Sequence, residues 1–341
     1  MKPLGRAFFY GEMLWCAHSG TGAAFVLTGP GATITLEGDP GLAGGFPRFA
    51  VFVDGRRVVD ELLSESRRSY KIENPAAKNG GALVEIIKLS ESAVSVFAIE
   101  LISTGPDGAI SPAPERALFV EFIGDSITCG YGIDNEGADK PFSTATQDCV
   151  KAYAFKAAEA LGADLSLVAA SGYGVVSGFT SGHKSEGNTI PGVYDKVGIT
   201  RKAASGFDAS ETIWDFGGRK TDYVVINLGT NDNSYTRGLA KLEAEFAEAY
   251  LAFLLRVREH NPEATIICAL GIMGDHLFEP IMAAVDAYVN LTGDGRIAAF
   301  KFGPRGGGEG FASDGHPTEA TNERAALELT EFIRGLADSR N

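Results

Sequence analysis

Leu118-Phe119-Val120-Glu121-Phe122-Ile123-Gly124-Asp125-Ser126-Ile127-Thr128 reads as an apolar strand that ends in a Gly-Asp-Ser turn. In an open α/β sheet the crevice that holds the chemistry lies beyond the carboxyl ends of the strands, which puts the Ser126 hydroxyl at the expected place. The same block also suits a helix N-cap, where Asp and Ser are favoured for their side-chain acceptors. The two readings part on whether the chain also supplies a base and oxyanion donors, since a serine is a weak nucleophile without them. Two later blocks offer candidates. Gly229-Thr230-Asn231-Asp232 follows the apolar run 223–228, and Asp314-Gly315-His316-Pro317 stands near the carboxyl end. Pro317 suits the first position of a helix, which holds His316 on a short, defined loop. His18, His183, His260 and His276 have no comparable setting.

Working outward, residues 117–341 alternate between strand and helix patterns. Strands are predicted at 118–123, 165–170, 223–228, 265–270 and 296–302, and helices at 152–161, 239–260, 280–291 and 317–337. Val224-Val225-Ile226 is apolar throughout, as in a strand buried on both faces. The alternation predicts an α/β, three-layer αβα domain with a parallel, doubly wound sheet. Ser126, Gly172, Asn231 and Met273 each follow a predicted strand end, so they converge on one edge of that sheet. Residues 1–105 read differently, as short strands with Asp54-Gly55 as a hairpin turn and β-rich runs at 82–89 and 94–102. This predicts an all-β sandwich of jelly-roll type. The Pro, Gly and Ser-rich stretch 106–116 is expected to be the linker.

Composition excludes several classes. The formal charge of −14 argues against nucleic acid or an anionic membrane as a partner. No apolar run approaches the roughly 18 residues of a membrane span. The amino terminus has no uninterrupted apolar segment of signal-peptide type, so the expected location is cytoplasmic, or secreted if a leader has been removed. Four cysteines show neither paired spacing nor CxxC, so buried thiols are expected rather than disulfides or zinc. Asp275-His276 and His183-Lys184-Ser185-Glu186 lack further partners at ligand spacing, and no metal or cofactor is expected.

Gly124-Asp125-Ser126-Ile127-Thr128-Cys129-Gly130-Tyr131-Gly132, Ala170-Ser171-Gly172-Tyr173-Gly174, the Asn231 block and the late His316 together resemble the SGNH (GDSL) hydrolase superfamily over residues 117–335. Within it, the chain is most similar to carbohydrate esterase family 2, acetyl esterases in which a β-rich domain precedes the hydrolase domain. The resemblance implies Ser126 as nucleophile and His316 as general base. It also implies an oxyanion hole built from the backbone N–H of Ser126, the backbone N–H of Gly172 and the side-chain amide of Asn231. Gly174 competes with Gly172, and a turn-capping role competes at Asn231. Most members space the late acid and base as Asp-x-x-His. Here the spacing is Asp314-Gly315-His316, so Asp314 is only a candidate orienter, and the family 2 likeness implies a Ser–His dyad whose imidazole N–H goes to a main-chain carbonyl. Asp125 and Asp232 are expected to hydrogen-bond their own loops.

Tyr131, Tyr173, Phe179, Trp214 and Phe216 lie on loops at the strand ends. Tyr173 and Trp214 are carried as candidate sugar-binding residues, against the plainer reading that such rings anchor loops. The expected function is that of a serine esterase removing O-acetyl groups from small carbohydrates such as xylo- or manno-oligosaccharides. The rivals are a lipase or thioesterase on the same scaffold, which needs a long apolar acyl groove, and a non-catalytic sugar-binding protein.

Overall fold

The computed structural model describes residues 1–338 apart from 40–44, 77–79, 202, 204, 305 and 307. It divides into two compact units, one made of Met1–Arg116 with Ser143–Gln147 and Lys196–Trp214, the other of Ala117–Phe142, Asp148–Asp195 and Asp215–Asn341.

The first unit is built on two antiparallel sheets. Its strands are β1 (Lys2–Leu4), β2 (Phe8–Tyr10), β3 (Met13–Cys16), β4 (Gly22–Thr28), β5 (Gly31–Gly38), β6 (Arg48–Val53), β7 (Arg56–Leu62), β8 (Arg67–Glu73), β9 (Ala82–Lys88), β10 (Phe97–Thr104) and β11 (Ala109–Pro112). One sheet runs β1-β4-β9-β6-β7, with β11 also paired to β4, and the other runs β2-β3-β10-β5-β8. Alternate residues from both sheets, among them Leu14, Phe25, Ile34, Phe49, Val84 and Phe97, form one buried core, as expected of a sandwich. The Asp54-Gly55 hairpin forms as predicted between β6 and β7.

Two expectations about the domain boundary do not match the structure. The stretch 106–116, expected as linker, contributes β11, whose Ile110 packs against the sandwich core. Pro112, which has no N–H to give, is tolerated at the end of this short strand. The second departure is that residues 117–341 are not a single block, since Lys196–Trp214 groups with the first unit. Its Val197, Ala203, Phe207 and Ala209 bury an apolar face offered by Trp15, Val96 and Ala98, with Phe207 stacked on Trp15 at 5.0 Å. An outer sheet face that carries Trp15 needs such a cover, and the distant segment supplies it.

In the second unit the strands are β12 (Leu118–Gly124), β13 (Ala163–Ala169), β14 (Tyr223–Asn227), β15 (Thr265–Leu270) and β16 (Ile297–Lys301). The helices are α1 (Ser126–Cys129), α2 (Tyr153–Leu161), α3 (Ile190–Val193), α4 (Asn233–Thr236), α5 (Ala240–His260), α6 (Phe278–Thr292) and α7 (Glu319–Asp338). All pairings are parallel and the order is β13-β12-β14-β15-β16. This is the 2-1-3-4-5 order of flavodoxin-like sheets, whose switch point falls between the first and third strands, here β12 and β14. Val120, Phe122, Ile123, Val224, Val225 and Ile226 are fully buried, which is why these strands read as continuous apolar runs. No helix among the described residues is long and apolar enough to cross a membrane.

Candidate active site

The strand β12 stops at Gly124, and Asp125 caps α1 by accepting the Ile127 N–H at 3.0 Å on Oδ1. That leaves Ser126 as the first residue of a single helical turn, a residue 7% exposed beside the switch point. Asp125 therefore takes the N-cap role that the sequence also allowed for Ser126, which leaves the serine hydroxyl uncommitted to capping.

The loop after β13 carries Gly172 at φ +78°, a left-handed conformation that suits glycine. Among the described residues, no backbone acceptor takes the N–H of Gly172 or of Ser126. The carbonyl of Gly172 accepts from Phe179 N–H at 2.7 Å. The loop is further pinned from the exit of β14. The buried carboxylate of Asp232 accepts the N–H groups of Val175 at 3.0 Å, Val176 at 2.7 Å and Ser177 at 3.0 Å. Burial pushes the Asp232 carboxyl above its ordinary value, although these three donors pull it back. Asp232 thus braces a neighbouring loop, not its own as the sequence reading expected.

Asn231 reaches from the same exit. Its Nδ2 donates to the Tyr173 carbonyl at 2.8 Å and to Asp125 Oδ2 at 3.2 Å, so both amide protons are engaged in the resting geometry. The longer bond is the one free to yield. Burial raises the Asp125 carboxyl to about 7, which favours its protonated form and so weakens it as an acceptor.

His316 closes the constellation. Its Nε2 lies 2.8 Å from Ser126 Oγ, and its Nδ1 lies 2.9 Å from the main-chain oxygen of Ser313. With Nδ1–H donated to a carbonyl, which can only accept, the lone pair falls on Nε2 and faces the serine hydroxyl. Burial holds the imidazole below its ordinary value, so it is neutral near pH 7 and able to take a proton. The carbonyl is placed by a tight turn. Ser313 and Gly132 touch so closely that a Cβ on residue 132 would stand 2.3 Å from Ser313 Cβ, while Ser313 Oγ accepts from Asn135 Nδ2 at 2.7 Å. Gly132, the last residue of the Gly130-Tyr131-Gly132 block, is there to let the histidine turn dock.

The Asp314 carboxylate does not take the imidazole N–H. Its Oδ2 accepts the Tyr131 hydroxyl at 2.8 Å, and its backbone is left-handed, φ +51°. The carboxylate as direct orienter is therefore corrected: the Ser313 carbonyl holds that place. Tyr131 is not a free platform, since Phe142 stacks on it at 4.1 Å and the His316 ring lies 4.3 Å away on centroids. Tyr173 joins the site through its backbone. Trp214 packs in the first unit against the Trp15–Phe207 cluster, with Arg6 5.7 Å from its ring centre, which is the plainer anchoring reading. Phe216 stacks on His260 at 3.9 Å, and Phe179 is 66% exposed. Sequence reasoning missed Ser313 and Gly132. The Gly-Tyr-Gly spacing hinted at Gly132, but Ser313 acts through its main chain, which any residue type supplies. Among the described residues no group of three or more His, Cys, Asp or Glu is placed to hold a metal.

Residues 122–324 match the GDSL-like lipase/acylhydrolase family. The chain belongs to that family. It is 27% identical over 323 residues to the cellulase/esterase CelE of Acetivibrio thermocellus, covering 94% of this chain but 37% of that protein. Among solved structures, it is similar to the acetyl xylan esterase Est2A of Butyrivibrio proteoclasticus, with a TM-score of 0.89, 25% identity, and coverage of 99% and 96% of the two chains. It is also similar to a family two carbohydrate esterase of Clostridium thermocellum in complex with cellohexaose, with a TM-score of 0.84, 26% identity and 98% coverage of each chain. The family two carbohydrate esterases are thus the structural neighbours of this GDSL-family chain.

Proposed function

We propose that this protein is a serine esterase that removes O-acetyl groups from carbohydrate. The observation that carries the reading is the 2.8 Å contact between His316 Nε2 and Ser126 Oγ with Nδ1 tied to the Ser313 carbonyl. In this reading Ser126 attacks the acetyl carbonyl as His316 takes its proton. The oxyanion rests on the N–H groups of Ser126 and Gly172 and on the amide of Asn231. His316 then gives the proton to the departing sugar hydroxyl, leaving acetyl-Ser126. A water molecule, deprotonated by the same imidazole, releases acetate. The similarity to esterases that act on carbohydrate supports the substrate class, and acetylated xylo- or manno-oligosaccharides are the first candidates.

Acetate release from a panel of acetylated oligosaccharides, run beside acetyl and octanoyl model esters, tests this. We expect acetate from at least one sugar and much faster cleavage of the acetyl ester, because a pocket built for acetate would take extra methylenes only with strain. Equal rates on the octanoyl ester move the assignment to a lipase. Oligosaccharide binding without any ester cleavage moves it to a binding protein.

A further inference from the structure

We propose that Tyr131 is a positioning residue for His316: its ring face stabilises the imidazolium formed when Ser126 gives up its proton, and its hydroxyl brings the charge of the Asp314 carboxylate to that ring. The inference deepens the esterase reading and rests on His316 being its general base.

A Ser–His pair whose Nδ1–H goes to a neutral carbonyl lacks the anion that usually offsets the imidazolium charge. Here the compensation is arranged through an aromatic ring. The Tyr131 and His316 rings lie 4.3 Å apart on centroids with 33° between their planes, within the distance at which a cation feels the negative face of an arene. Phe142 stacks on Tyr131 at 4.1 Å and 12°, which restrains the ring. The Tyr131 N–H donates to the Ser126 carbonyl at 3.1 Å, which ties the ring's backbone to the nucleophile's turn. The hydroxyl donates to Asp314 Oδ2 at 2.8 Å, and a phenol hydrogen-bonded to a carboxylate carries more electron density in its ring. No proton reaches Tyr131 or Asp314. The Ser126 proton moves to Nε2, Nδ1–H stays on the Ser313 carbonyl, and the ring sees only the charge.

Two measurements test this. The first follows the His316 imidazole by NMR titration in the wild type, Asp314→Asn, Tyr131→Phe and the double variant. We expect Asp314→Asn to lower the midpoint, and to lower it less than half as much in the Tyr131→Phe background. An equal effect in both backgrounds means the carboxylate acts directly through space and overturns the relay. The second places phenylalanine and then progressively fluorinated phenylalanines at position 131, which weakens the ring face at nearly constant shape. We expect kcat to fall steadily, by about three- to tenfold across the series, with KM unchanged. A flat series shows that the ring only packs. The titration needs no turnover, so midpoints that shift as expected in a protein with no esterase activity uphold the ring's role while refuting the esterase reading.

Discussion

His316 Nδ1 is 2.9 Å from the main-chain oxygen of Ser313, while the neighbouring Asp314 carboxylate turns to the Tyr131 hydroxyl at 2.8 Å. The partner that fixes the imidazole tautomer is therefore a peptide group, and no single side-chain substitution removes it. What side chains control is how well the turn holds that carbonyl in place, through Gly132 and Asn135, and how much negative charge stands near the imidazolium.

The first consequence is an unequal set of losses. Ser126→Ala and His316→Ala each remove a reacting group, and kcat should fall by about 10⁴-fold or more. Asp314→Ala leaves the Ser313 carbonyl in place, and its loss should be on the order of tenfold or less. Steady-state kinetics on an acetyl ester check this, and an Asp314→Ala enzyme as inactive as Ser126→Ala restores a full triad.

The pH profile follows from the burial of the same ring. As the proposed base, His316 would work in its neutral form, and burial holds its folded value below the ordinary 6.5. Activity should be fully present above that value and fall only as the pH drops through a lower midpoint. The acid limb of kcat/KM reads it directly. A limb centred above 6.5 contradicts the assignment of His316 as a buried base.

At Asn231 the expectation concerns kcat rather than binding. Its amide donates to the Tyr173 carbonyl and to Asp125 at rest, and in the proposed mechanism it turns to the oxyanion only as charge develops. Asn231→Ala should lower kcat by about 10²- to 10³-fold with a smaller change in KM. An equal loss in KM alone would assign the residue to ground-state binding.

The first unit makes its own prediction. His18 is fully buried, and neither ring nitrogen has a hydrogen-bond partner among the described residues. Burial, with the charges of Arg6 and Lys88 behind it, lowers the imidazole from 6.5 to about 3. The folded value lies below the unfolded one, so the stability linked to a neutral His18 is fully present above 6.5 and is lost as the pH falls toward 3. Melting temperature followed across that window should decline less steeply in His18→Leu than in the wild type. Parallel declines would refute the linkage.

How much of this was readable beforehand varies with the kind of signal. The runs at 118–123, 223–228 and 265–270 became β12, β14 and β15 almost residue for residue, because strands buried on both faces leave an unbroken apolar mark. That Ser126 and His316 would meet was legible for a different reason, since a nucleophile and its base must be particular residue types. The Ser313 carbonyl left no mark of that kind. Nor did the span 196–214, whose Phe207 and Ala209 cover Trp15 from nearly two hundred residues away, because burial against a distant partner imposes no local period. Ala109–Pro112 was hidden by its proline and by the neighbouring prolines and glycines, which signal turns more strongly than a four-residue edge strand signals pairing.

In the proposed mechanism Ser126 becomes acetylated with His316 as its base, and trapping that species is the most direct test. The protein is mixed with an excess of an activated acetyl ester, quenched in acid during turnover, and digested for peptide mass analysis, with Ser126→Ala and His316→Ala treated alongside. The expected result is a single added acetyl group on the peptide that contains Ser126, absent from Ser126→Ala and formed far more slowly in His316→Ala. Acetate released at the wild-type rate by Ser126→Ala, or an acetyl group found on another residue during turnover, would contradict it.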